Sequence, residues 1–326
     1  MIIATTSHAA TTLRRNGRSF WFASLFLPSQ VAADAARLYA FCRAMDDLAD
    51  IAVTPESRAA LDQVRADLQR GTSSIPDVQD LLALATQYNL PRDAADYLIA
   101  TFIEDAATEL HIEDEDHLVR YCYGVAGTVG LMMSPILGAP PQAGQAAMHL
   151  GIAMQMTNIA RDVLEDATNH RRYLPGCWVQ HLTAQQILHA SQTRAQSPHA
   201  PETQQLVASA VLRLLALADR YYASASLGFP SIPIRARRGI EIAAAVYREI
   251  GTVLRRNHGA WWNGRTLVST SRKLSLAAQV YLGQSPVLRL PPIDPGNALS
   301  HPLLNLPGVM PGVTPGVLSG EPSGAS

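Results

Sequence analysis

The stretch Asn158-Ile-Ala-Arg-Asp-Val-Leu-Glu-Asp166 crowds an amide, an arginine and three carboxylates into about two and a half helical turns. Spaced i, i+4 and i+8, Asn158, Asp162 and Asp166 stack along one face of a helix. Like charges at that spacing repel, and folding alone asks for none of them. Mg²⁺ ions would ask for them, because hard cations take carboxylate oxygens and complete their shells with water and phosphate. A solvated acidic helix face fits the same residues, and a lone DxxxD is too common to separate the two readings.

A second acidic cluster bears on the choice. Asp46-Asp47-Leu48-Ala49-Asp50 closes a helix that otherwise reads as core-facing. Asp46 and Asp50 share a face, with Arg43 one turn earlier and Tyr39 one turn before that. Two such faces, each flanked by apolar sequence, fit carboxylates that line one cavity and hold a diphosphate through bridging Mg²⁺. The plainer alternative is two independent surface faces, which would need both to be embedded in apolar sequence by coincidence.

The chain around them is 326 residues long, 48% hydrophobic and 16% charged. That length allows one large domain or two small ones. A net charge of −1 gives no electrostatic case for a nucleic-acid partner or a polybasic anchor. Cys42, Cys122 and Cys177 are far apart and form no CxxC, which points to a reducing cytoplasmic setting and no zinc site. Residues 1–12 lack the pattern of a signal peptide. From Tyr121 through Ala160 there is no Asp, Glu, Lys or Arg. Glycines and prolines interrupt that run, so it reads as two buried helices joined near Gly138–Pro141 rather than a membrane span.

Helical periodicity recurs elsewhere: 28–50, a helix opened by Pro55, 77–88, 91–110, 183–191 with Thr183 as N-cap, 202–227, 235–258 and 269–282. With no strand ladder, the expectation is an all-α single domain of about ten helices over residues 1–285, its core starting near 14. After Pro286 the Pro-Gly-Val repeats and Gly/Ser-rich end predict a flexible tail over 286–326 that builds no core and has no catalytic role.

At this point the chain resembles the head-to-head prenyl synthases, the phytoene, dehydrosqualene and squalene synthases. The resemblance is carried by Ser19–Pro28, by Leu38-Tyr-Ala-Phe-Cys-Arg-Ala-Met-Asp-Asp-Leu-Ala-Asp50, by Tyr121–Met133, and by Gln155–Asp166 followed by Arg171-Arg-Tyr-Leu-Pro175. It runs in order from about Arg14 to Leu282. It implies a helical bundle of the isoprenoid synthase type with a central apolar cavity. It also implies that Asp46, Asp50, Asn158, Asp162 and Asp166 bind Mg²⁺, with Mn²⁺ as a substitute. Arg18, Tyr39, Arg43, Gln155 and Arg161 would contact substrate or its phosphates, Tyr121 and Tyr247 match aromatic site residues, and Arg171 would neutralise pyrophosphate. Asp47 and Glu165 point about a quarter turn away and rank lower.

The implied reaction condenses two geranylgeranyl diphosphates to phytoene. The alternative is two farnesyl diphosphates giving dehydrosqualene, or squalene if NADPH supplies a hydride. A non-catalytic lipid-binding relative would carry eroded aspartates, and a di-iron bundle would carry paired Glu-x-x-His motifs; neither mark is present. Two departures stand out: His170 where Gly is usual, and Arg172 where an apolar residue is common. Phe20, Trp21, Phe22 and Phe26 read either as a pocket cap or as an aromatic staple. The acidic run 109–117 reads as a solvated loop. Trp261-Trp262 with Arg255, Arg256 and Arg265 fits a peripheral contact with the inner face of a membrane for product release, or, the preferred reading, a cap over a helix end. No feature identifies a protein partner.

Overall fold

The computed structural model describes residues 2–51, 55–107, 111–192, 200–291, 299, 301–303, 306 and 309. Thirteen α-helices lie among them: α1 (Ile2–Asn16), α2 (Arg18–Ser24), α3 (Ser29–Ile51), α4 (Pro55–Arg70), α5 (Pro76–Tyr88), α6 (Arg92–Ala107), α7 (Glu115–Cys122), α8 (Thr128–Ile136), α9 (Gly144–Thr168), α10 (Ala184–Gln192), α11 (Ala200–Ser226), α12 (Ile234–Arg256) and α13 (Thr270–Tyr281). No strand occurs among the described residues, where a single parallel bridge pairs His111 with Arg172. The all-α expectation holds, with more and shorter helices than the periodicity indicated.

Local chemistry explains several boundaries. Thr183 Oγ1 accepts from the Gln186 N–H at 3.2 Å, and Gln186 Oε1 accepts from the Thr183 N–H at 2.8 Å. This reciprocal capping starts α10. Ser269 caps α13 in the same manner by accepting from the Arg272 N–H. Asn89 ends α5 in the left-handed conformation at φ 53°, a position asparagine tolerates. Helix α1 and the Gly17 break before α2 were not legible from periodicity. The break brings Gly17 against the Tyr39 ring, where a Cβ would lie 3.0 Å from Tyr39 Oη.

Helix α9 organises the bundle by packing against α7, α8, α10, α11 and α12. The charge-free run resolves into the two expected buried helices, but the first carries a π-helical turn, Tyr123–Gly127, between α7 and α8. A Cβ at Gly130 would collide with the Ala147 carbonyl, and one at Gly151 with the Ala126 carbonyl. Backbone therefore touches backbone where α8 and the π turn cross α9. We expect Gly151→Ala to destabilise the protein by about 2 kcal/mol, since the nearest atoms are main chain and cannot rotate away. A thermal melt of the variant checks this, and an unchanged midpoint would contradict the packing.

The tail expectation needs correction. Val287 and Leu303 are fully buried, Leu299 nearly so, and Tyr221 Oη donates to the Leu299 carbonyl at 2.8 Å. Single apolar side chains of this Pro- and Gly-rich segment pack into the bundle core. The domain therefore extends past 285, at least through these residues. The last residues, 310–326, lie outside the described ones. Trp261 is buried, donates from Nε1 to the Gln204 carbonyl at 3.2 Å, and meets Trp262 edge-on. The turn Trp261–Asn263 packs against α9 and α11, so Trp261 belongs to the core.

One buried group makes stability depend on pH. His149 is 2% exposed, its Nδ1 lies 2.7 Å from Ser224 Oγ, and its Nε2 has no partner. Burial holds its pKa down at about 4. Below the unfolded value near 6.5 the unfolded chain binds a proton that the folded one refuses, so this group removes stability as pH falls from 6.5 toward 4. By pH 5 the loss is about 2 kcal/mol. Comparison of His149→Gln with the parent at pH 7 and pH 5 should show the smaller acid loss in the variant.

Candidate active site

A cavity of about 1290 Å³ opens between α2, α3, α8, α9 and α12. On α3 its wall is the strip Ala35, Tyr39, Cys42, Arg43, Asp46 and Ala49, and on α9 it runs from Ala146 to Asp166. At 1.5 Å per residue the α9 wall is about 30 Å long. Its Asp162–Asp166 end is charged. Its Ala146 end meets only uncharged residues such as Leu137, Phe229 and Ile232. The run 121–160 supplies nearly half of the uncharged wall, including Val125, Val129, Met133, Leu150 and Met154.

The structure brings both acidic faces to this one cavity. Asp46, Asn158, Asp162 and Asp166 all border it, as do Tyr39, Arg43, Tyr121, Gln155, Arg161 and Arg171. Asp50 belongs to α3, but its side chain lies outside the described residues. Two expected site residues stand elsewhere. Arg18 is exposed at the start of α2, away from the cavity wall. Tyr247 is buried behind that wall, its ring 4.8 Å from the ring of Phe20, which does line it. Of the two lower-ranked acids, Glu165 faces the cavity, while Asp47 turns out to an ion pair with Arg43.

Arginines offset the acids. Arg43 Nη1 donates to Asp46 Oδ2 at 2.9 Å and Nη2 sits 2.5 Å from Asp47 Oδ1. Arg161 Nε donates to Asp162 Oδ1 at 2.7 Å, and Arg265 Nε approaches the same oxygen at 3.3 Å while its Nη1 lies 3.6 Å from Glu165. Asp166 is the strained member. Burial first, then the nearby Asp162 and Glu165 charges, push its pKa up to about 8, although Arg171 and Arg161 pull the other way. Asn158 Nδ2 donates to Gln155 Oε1 at 3.3 Å, and Asn158 Oδ1 is buried without a hydrogen-bond partner. Among the described residues no three His, Cys, Asp or Glu side chains stand close enough together to hold a metal ion by themselves.

A family model described as squalene/phytoene synthase matches residues 13–272. The chain belongs to the squalene/phytoene synthase family. A 15-cis-phytoene synthase of Pantoea ananas is 32% identical over 285 residues, covering 83% of this chain and 89% of that protein. Another, of Enterobacter agglomerans, is 35% identical over 277 residues, covering 79% and 89%. Among solved structures, a dehydrosqualene synthase superposes with TM-score 0.73 at 26% identity over 86% of this chain and 98% of that one. A squalene synthase of Alicyclobacillus acidocaldarius, at 20% identity and TM-score 0.62 over 79% and 95%, shares the fold.

Within this family member, two cavity residues were not read as such in the sequence, Asp105 and Arg265. Asp105 of α6 accepts from Tyr121 Oη at 3.3 Å, and the Tyr121 ring stacks on Tyr173 at 5.1 Å. Tyr173 Oη in turn accepts from Arg171 Nη1 at 3.3 Å. Asp105 is one of four acids scattered along α6, with Asp93, Asp96 and Glu104, and no DxxxD spacing singled it out. Arg265 reached the acids only through the loop after Trp261, which turns at Gly264 with φ 81°. The two departures also find places. His170 takes the left-handed conformation at φ 60° that a glycine would adopt freely. Arg172 is buried, donates to the Ile112 and Leu174 carbonyls at 3.2 and 2.8 Å, and has its pKa lowered by that burial.

The raised Asp166 pKa carries a stability signature. The folded protein keeps this proton up to about pH 8, whereas the unfolded chain releases it near 4. Its stabilising effect is complete below pH 4 and is lost as pH rises to 8. In chelator, Asp166→Asn should therefore melt about 3 °C or more above the parent at pH 8.5, with the gap closing toward pH 4. A variant that melts lower at pH 8.5 would refute the assignment.

Proposed function

We propose that this protein joins two prenyl diphosphates head to head, with geranylgeranyl diphosphate as substrate and phytoene as product. The observation that carries the reading is an elongated cavity with acids and arginines at one end and uncharged walls along the rest. A drug-sized ligand takes roughly 300–1,000 Å³, so about 1290 Å³ suits more than one chain. The C20 substrate is favoured over C15 because the relatives named 15-cis-phytoene synthase are 32% and 35% identical, against 26% for the dehydrosqualene synthase.

Mg²⁺, or Mn²⁺ in its place, fits the residues present. The donors are hard oxygens, Asn158 Oδ1 lacks a partner, and Asp166 sits where a cation would relieve it. Asp46, Asn158, Asp162 and Asp166, with Asp50, would hold the ions together with substrate oxygens. Once bound they would act as Lewis acids on the leaving diphosphate. The chain's own part is to surround that diphosphate with Arg43, Arg161, Arg171 and Arg265, which stabilise its charge as the allylic C–O bond breaks. The uncharged wall keeps water from the resulting carbocation, and the faces of Tyr39 and Tyr121 stabilise it. The second substrate's double bond attacks C1 of the cation, and proton loss gives a cyclopropylcarbinyl diphosphate. A second ionisation, rearrangement and proton loss give the hydrocarbon. NADPH enters only if the product is squalene.

Incubation of purified protein with Mg²⁺ and C20 or C15 diphosphate, with and without NADPH, followed by mass analysis, tests this directly. Phytoene from the C20 substrate is expected, without NADPH. Pyrophosphate release with no C40 or C30 hydrocarbon would sink the reading. Asp162→Asn should lower turnover by about three orders of magnitude or more while the fold is retained.

A further inference from the structure

We propose that Asp105 takes up the first proton lost in the condensation, with the Tyr121 hydroxyl passing it on from the substrate. This rests on the proposed reaction, which sheds that proton beside uncharged walls that exclude water. Attack by the double bond joins C1 of one substrate to C2 of the other and leaves a cation on C3 of the second. A C1–H bond then breaks, its electron pair closes the C1–C3 bond of the cyclopropane, and the proton needs an acceptor within reach. The acids at the charged end are engaged. Arg43 holds Asp46, Arg161 and Arg265 hold Asp162, Arg265 approaches Glu165, and Arg171 and Arg161 act on Asp166. Burial pushes the Tyr39 phenol and the Cys42 thiol, which also line the cavity, up to about 12, so both keep their protons. His170 is exposed beside Arg171. Among the described residues, Asp105 is the one lining carboxylate outside both acidic clusters.

A hydrogen-bonded chain fixes the direction in which that proton can move. Asp105 Oδ2 accepts from Tyr121 Oη at 3.3 Å. The Tyr121 and Tyr173 hydroxyls are hydrogen bonded to each other, and their rings stack at 5.1 Å. Tyr173 Oη accepts from Arg171 Nη1 at 3.3 Å. An arginine only donates and an ionised carboxylate only accepts, so both hydroxyls between them point their protons toward Asp105. Tyr121 and Asp105 line the cavity, whereas Tyr173 does not. Burial first, then Tyr173 and Asp105, hold the Tyr121 pKa well above the usual phenol value. Tyr121 therefore stays a hydroxyl, and it can take the substrate's proton only while giving its own to Asp105. The phenol ends neutral and Asp105 ends protonated, which balances the step. Water recovers the proton after the hydrocarbon leaves. Packing sets both side chains: α6 lies against α3 and α8, and Tyr121 sits in the last turn of α7, just before the π turn.

Asp105→Asn tests this, because the amide still accepts from Tyr121 but no longer takes a proton. With C20 diphosphate and Mg²⁺, hydrocarbon formation is expected to fall by about a hundredfold or more. KM should stay within about threefold, and pyrophosphate release should fall much less than hydrocarbon, as water captures the stranded cation. Deuterium at C1 of the substrate should slow the variant more than the parent. Asp105→Glu keeps the carboxylate and should recover about tenfold over Asp105→Asn. If Asp105→Asn fails to fold, Tyr121→Phe carries the same readouts with Asp105 untouched. Where both fold, the double variant should be no slower than the slower single one, since both act on one transfer. Hydrocarbon yield near the parent's in the variant used, an equal fall in pyrophosphate release and hydrocarbon, or an isotope effect equal to the parent's overturns the proposal. A parent that releases pyrophosphate without hydrocarbon defeats the proposed reaction, and this assignment with it.

Discussion

Three carboxylates within two turns of α9 stand beside an apolar cavity, and cations must reach them for that helix to be stable. Asp162 is held by Arg161 from its own helix and by Arg265 from a loop more than a hundred residues later. Arg171 acts on Asp166 from just past the helix end. Even so, burial and its acidic neighbours leave Asp166 reluctant to ionise. Much of the surrounding architecture answers this constraint. The left-handed residues His258, Gly259 and Gly264 shape the loop that delivers Arg265, and left-handed His170 turns the chain so that Arg171 comes back to Asp166.

The same helix has a second task at its other end. From Ala146 to Met154 its cavity-facing residues are small or apolar, and it approaches α8 closely enough that Gly151 and Gly130 admit no side chain. One helix thus serves a charged chamber and a dry one. The gradient along it follows from solvation: ions need partners or water, whereas a carbocation needs the absence of both. The polarity order along the cavity therefore runs from a charged end beside Asp162 and Asp166 to an uncharged end beside Ala146.

How much of this could be read from sequence depended on whether the signal was periodic. The two DxxxD faces, the Tyr39–Arg43 stripe and the charge-free run are patterns within single helices, and they were legible. Thr183 as a cap was legible because capping is local. Asp105 was not, since it is one of four acids on an amphipathic helix and gains meaning only when α6 sets it against Tyr121. Tyr247 and Arg18 show the converse. They match motif positions, yet Tyr247 lies one layer behind the wall and Arg18 faces outward. The Pro-Gly composition after 286 suggested a segment without a core, and could not reveal that Val287 and Leu303 are buried in the bundle.

Sequence by itself determined the helical class, the two acidic faces, the dry stretch between them and the family. Those are properties of spacing along one strand of chain, and helical geometry converts spacing into a face without further help. Only the tertiary structure decided that the two faces share one cavity, that Arg265 and Asp105 belong to it, that Trp261 is core, and which surface is left apolar. Each of these depends on elements far apart in sequence being brought together by packing, and periodicity within a helix carries no information about which neighbour its face will meet.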